Sequence, residues 1–150
     1  MNTLLVSVAA LAAWQGKPMF SVDDAAYCAA VYAFTLDAMS RAENVPVAKQ
    51  RETTEGLAKW EYELSAAGED LATAALQGRA DRAVAEVRQQ MPNGVGAEAA
   101  AARGTFLLES SAQCDAQLTA AYGVSEHPIV PFLRKAQVEV APGTEGRGLR

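Results

Sequence analysis

The chain has 150 residues, half of them apolar, and a formal charge of −5 from 13 basic and 18 acidic side chains. That length holds one domain rather than two comfortable ones. The basic residues are scattered among acids, which excludes the clustered cationic footprint needed by a nucleic-acid partner or an anionic bilayer surface.

The first segment, Met1 to Ala13, carries no charged side chain, and Leu4 to Ala13 is a compact apolar block. A secretory leader has such a block followed by a small-x-small cleavage site, which Ala10-Leu11-Ala12 supplies. The segment lacks the usual Lys or Arg, so a short buried helix of a cytosolic domain is the competing reading. Export is the expectation, with residues 1–13 as the leader and the protein periplasmic or secreted rather than cytoplasmic. A ten-residue block is too short to span a bilayer, which takes about 20 apolar residues.

Downstream, alanine dominates the apolar set and β-branched runs are scarce. Alanine forms helices best because it loses no side-chain entropy. An all-α domain over residues 14–134 is therefore expected. Ser21 opens the first helix with capping-box spacing to Asp24, and Ala25, Cys28, Ala29, Tyr32, Leu36 and Met39 follow helical spacing. Asn44 and Pro46 mark its end.

A second helix is expected between Pro46 and Ala67, with a solvated first half from Lys49 to Glu55. Gly56 is a possible break, Leu57, Trp60, Leu64 and Ala67 form the docking face, and Gly68 is placed as a left-handed cap. A third helix is expected from near Glu69 and Asp70, with Leu76, Ala80, Ala83, Val87 and Met91 as its seam. The Pro92-Asn93-Gly94 run stops it. The fourth runs from about Ala97 to Tyr122, with Leu107, Cys114, Leu118 and Ala121 on one stripe and Gly123 closing it. Short connections favour a four-helix up-down-up-down bundle.

After Gly123 the pattern changes. His127-Pro-Ile-Val-Pro-Phe-Leu133 is apolar but holds two prolines, so an extended segment lying across the bundle is expected. Its four large apolar residues, Ile129, Val130, Phe132 and Leu133, either seal the bundle or form an arm that docks into another chain. Residues 135–150 read as a flexible tail because their end, from Ala141, is rich in Gly and Pro.

The two cysteines carry the most information. Counted at 1.5 Å per residue, Cys28 lies about 9 Å from the start of its helix, and Cys114 about 13.5 Å from the end of an antiparallel fourth helix. Both fall on apolar stripes. A disulfide between them closes a long loop, worth roughly 4–5 kcal/mol in chain-entropy terms, and suits an oxidising compartment. Two reduced core thiols are the alternative, which goes with the cytosolic reading.

Catalytic patterns are lacking. There is no phosphate-binding glycine loop, no Cys-x-x-Cys, no His-Glu-x-x-His and no Gly-x-Ser-x-Gly. His127 is the one histidine, and a histidine before proline reads as a surface loop residue. The acids Asp23, Asp24, Glu69 and Asp70 suit helix N-termini, whereas Glu61 and Glu63 read as facing water. Tyr27, Tyr32 and Trp60 could line a small-molecule cavity between helices. No catalytic, metal or cofactor site is expected, and the partner expected is another protein. The leader, a cysteine in the first helix, Trp60-x-Tyr62 and a cysteine in the last helix together resemble small exported two-cysteine helical bacterial proteins. That resemblance implies fold and localisation but no activity.

Overall fold

The computed structural model describes residues 18–123 and 125–140. It contains α1 (Val22–Arg41), α2 (Val47–Ala67), α3 (Thr73–Gln90), α4 (Ala97–Tyr122) and α5 (Val130–Val140). No strand occurs among the described residues. The leader assigned to residues 1–13 lies outside them, as does the tail from residue 141 onward.

α1 starts as its sequence dictates, with Ser21 Oγ accepting the Asp24 backbone N–H at 3.0 Å. It is buried on nearly all sides, at Ala25, Ala26, Cys28, Ala29, Ala30, Val31, Tyr32 and Thr35. The physical reason is size: four alanines let neighbouring helices approach from different directions without crowding. Ala25, Cys28, Ala29 and Tyr32 join Trp60, Cys114 and Leu118 in one core cluster. Ala26, Ala30 and Val31 join Ala83 and Val87 in another. α1 is thus the hub that α2, α3 and α4 all pack against, while α5 rests on α2.

Side-chain pairs set the directions. Cys28 bonds Cys114 while Thr35 meets Ser111, so α4 runs opposite to α1. Phe20 packs on Trp60 while Tyr32 meets Gly56, so α2 does too. Asp23 binds Arg79 and Tyr27 binds Gln90, which makes α3 parallel to α1. The disulfide joins Cα atoms 5.8 Å apart across a separation of 86 residues, and both cysteines are 1% exposed. A bridge there removes loop entropy from the unfolded chain, roughly 4–5 kcal/mol in chain-entropy terms, of which about 2–4 kcal/mol is the typical measured gain.

Several expectations are corrected. Gly56 does not break α2; it is buried in mid-helix because the Tyr32 ring lies against it, and a Cβ there would stand 2.2 Å from Tyr32 Cε1. The first half of α2 is not wholly solvated, since Thr53 is buried and donates to the Lys49 carbonyl at 2.8 Å. Gly68 is not left-handed (φ −96°); a Cβ there would come within 2.5 Å of Leu76 Cδ1. α3 begins at Thr73, leaving Glu69 and Asp70 in the preceding turn.

The largest correction is α5. The segment expected to be extended becomes helical from Val130, and residues 135–140 belong to that helix rather than to a flexible tail. Pro131 sits in the first turn, where a missing N–H costs nothing because that donor has no intrahelical acceptor. The turn is closed by Val130 N–H to His127 O at 3.0 Å and Leu133 N–H to Ile129 O at 3.1 Å. Among the described residues no helix is long and apolar enough to cross a membrane.

Candidate functional site

α2 and α4 both lean on α1, and a groove of about 570 Å³ remains between them. Its floor is Tyr32 and Thr35 of α1. One wall is α2 from Ala48 to Lys59, the other α4 from Leu108 to Thr119. Twelve residues of helix on each wall, eleven rises of about 1.5 Å, make it about 16 Å long. Gly56 decides its depth, because only a residue without a side chain lets the Tyr32 ring close the bottom.

The floor is polar. Tyr32 is buried, and its hydroxyl donates to Asp115 of α4. Burial pushes the Tyr32 phenol well above its ordinary value, and the Asp115 hydrogen bond, the Asp115 charge and the Glu52 charge push it further. The phenol is therefore a neutral donor at any physiological pH. Thr35 Oγ1 donates to the Val31 carbonyl at 2.8 Å and lies 3.3 Å from Ser111 Oγ.

The rim carries both signs. Lys59 pairs with Glu55 at 2.9 Å and Lys49 with Glu52 at 3.1 Å. The Lys59–Glu55 pair is half-buried and the Lys49–Glu52 pair exposed; an exposed pair contributes about 0–1 kcal/mol, so a ligand can exchange the latter at little cost. Arg51 also lines the groove and has no ion pair among the described residues. Leu108 is 54% exposed on the opposite wall.

Of the three aromatics considered as cavity lining, only Tyr32 reaches the groove. Trp60 is fully buried in the core, edge-on to Phe20 with ring centroids 4.8 Å apart. Its Nε1 is a buried donor without a partner among the described residues. Tyr27 donates to Gln90 at 2.7 Å, away from this face.

A second polar cluster lies beside the α4–α5 junction, and it overturns two expectations. Glu63 does not face water; it is 2% exposed and accepts hydrogen bonds from Tyr122 Oη and from His127 Nε2 at 2.8 Å. His127 is not a surface residue either, being 6% exposed. Its Nδ1 accepts the Ile129 backbone N–H at 3.3 Å, which assigns the ring proton to Nε2. Tyr62 and Tyr122 enclose the imidazole, with ring centroids 5.3 and 4.7 Å away. Burial raises both phenols, helped by Glu63. Burial also raises the half-buried Glu61 carboxyl.

Both nitrogens of His127 are committed inside the fold, so it offers no base to a bound ligand. One sequence signal could have revealed the cluster: Glu63 is three residues from Trp60 and four from Ala67, inside the docking stripe. A charge on that face needs buried donors, and the lone histidine was the available one.

The segment 129–133 divides. Ile129 and Val130 are 6% and 7% exposed and seal the end of the core, Leu133 is half-buried, and Phe132 is 54% exposed. Comparison of the chain with protein families, curated proteins and solved structures finds no match.

Proposed function

We propose that this chain is a non-catalytic exported binding protein that acts through protein–protein contacts, with the α2–α4 groove receiving a segment of the partner. One observation carries the reading. The groove sets a buried phenol and hydroxyl on its floor beneath exposed or half-buried carboxylate and cationic side chains on its walls, drawn from three helices. A partner chain can exchange the exposed Lys49–Glu52 pair, meet Arg51, which has no ion pair among the described residues, and cover Leu108.

The openness favours a protein over a small ligand. Ala48, Lys49, Arg51, Glu52, Leu108, Ala112 and Asp115 all stand exposed along the rims. A drug-sized molecule is held by burying about 70–90% of its surface, which rims this exposed favour less than they favour an extended chain segment. The sealed Cys28–Cys114 bond supports export, since disulfides persist in oxidising compartments. Phe132 on α5 is the competing contact point.

The test is site-specific photo-crosslinking in the native organism. A photoreactive residue at Ala112 is expected to give one discrete adduct, and the same residue at exposed Ala85 on α3 to give none. An adduct at Phe132 with none at Ala112 moves the interface to α5 and rejects the groove. Intact mass of the natively produced protein should lack residues up to Ala12 or Ala13. Full-length protein in the cytosol rejects export.

A further inference from the structure

The loop between α3 and α4 contains the dipeptide Asn93-Gly94, outside any helix. Asn93 is exposed. Neither its side-chain amide nor the Gly94 backbone N–H makes a hydrogen bond among the described residues, whereas the Gly94 carbonyl is held by Arg103 Nη1 at 2.9 Å. Gly94 has φ +121°, a conformation that side-chain-bearing residues rarely adopt. The Gly94 nitrogen is thus unencumbered by a Cβ and uncommitted, next to a solvated carboxamide.

We infer that Asn93-Gly94 is a self-modifying site that deamidates spontaneously in the folded protein. The Gly94 nitrogen attacks Asn93 Cγ, forming a C–N bond, and the side-chain nitrogen leaves as ammonia after proton transfer. The product is a five-membered succinimide. Water then opens either carbonyl, giving aspartate, or isoaspartate with the main chain rerouted through the side chain. No redox partner is needed, and water is the one co-reactant.

Two features give the product a structural consequence. The first turn of α4 lacks a side-chain cap, since its cap residue is Gly96. A new carboxylate at residue 93 lies just ahead of that positive helix end, on a loop that Arg103 already grips. The isoaspartate form inserts an extra methylene into the connection between α3 and α4. Asn44 supplies an internal contrast, because Val45 follows it and a β-branched side chain hinders attack by its nitrogen.

The experiment ages the full-length, disulfide-bonded protein at neutral and mildly alkaline pH, with a denatured sample alongside, followed by tryptic mapping. The peptide from Gln89 to Arg103 should gain one mass unit and split into two chromatographic forms. Conversion should accelerate with pH and should outrun the Asn44 peptide at least tenfold. Native and denatured samples should agree within a few-fold, because the fold leaves this site open. A native rate more than tenfold below the denatured rate overturns the inference, as does equal conversion of the Asn44 and Asn93 peptides.

Discussion

Two tyrosine–carboxylate pairs hang on the same three-helix frame, and their surroundings differ. The half-buried Tyr122 donates to Glu63, which is 2% exposed and also held by the buried His127. Tyr32 donates to Asp115 at the bottom of an open groove. In the first, the donors and acceptors of one carboxylate and one imidazole are absorbed by the fold. In the second, the phenol is fixed but charged side chains along the rims, such as Arg51, Glu52 and Asp115, remain exposed. The same chemical pair therefore fastens helices in one place and floors a recognition surface in the other.

Removing the sealed acceptor should have the largest effect. Glu63→Ala strands a buried imidazole N–H and a phenol, a loss expected to reach about 3–5 kcal/mol in denaturant unfolding. Glu63→Gln keeps an acceptor and should cost clearly less. If the alanine variant is as stable as the parent, the cluster is not the fastening described.

Reducing the Cys28–Cys114 bond comes next, at roughly 2–4 kcal/mol, read as a lower melting temperature in reductant. Gly56→Ala follows. The Tyr32 ring must shift to admit the methyl, an overpacking cost of roughly 1–3 kcal/mol, with loss of the Tyr32–Asp115 contact visible by NMR.

Alkaline titration distinguishes buried phenols from solvated ones. Tyr32, Tyr62 and Tyr122 are all held above their ordinary value, chiefly by burial. A raised folded value means that their contribution is intact below the unfolded tyrosine value of about 10 and is lost as pH climbs past it. Stability should stay level from neutral pH to mild alkali and then fall. Phenolate absorbance from these three should appear together with unfolding, and the Tyr32→Phe, Tyr122→Phe double variant should flatten the fall. Free titration of all tyrosines in the folded protein contradicts their burial.

Local chemistry made much of this fold legible in the sequence. Ser21 with Asp24, the Pro92–Gly94 stop and Gly123 each act over a few residues, and they mark helix ends where the structure has them. Cys28 and Cys114 could be paired because helix rise converts sequence position into height. What stayed hidden depends on long-range partners. Glu63 is buried only because His127 arrives 64 positions later, and Gly56 is a packing slot only because Tyr32 faces it. α5 escaped notice because two prolines suggest an extended chain, although a proline in a first turn is compatible with a helix. The groove is a property of how three helices lean together, and no residue within it announces that arrangement.

The smallest expected effect on stability provides the most direct test of the groove. Ala112 is exposed on the α4 wall, so Ala112→Trp should fill the groove while leaving the core untouched. Its melting temperature should match the parent's, and its partner adduct, read from a second photoreactive residue at Ala48, should vanish. An unchanged melting temperature with the adduct fully retained would contradict the assignment of recognition to this groove.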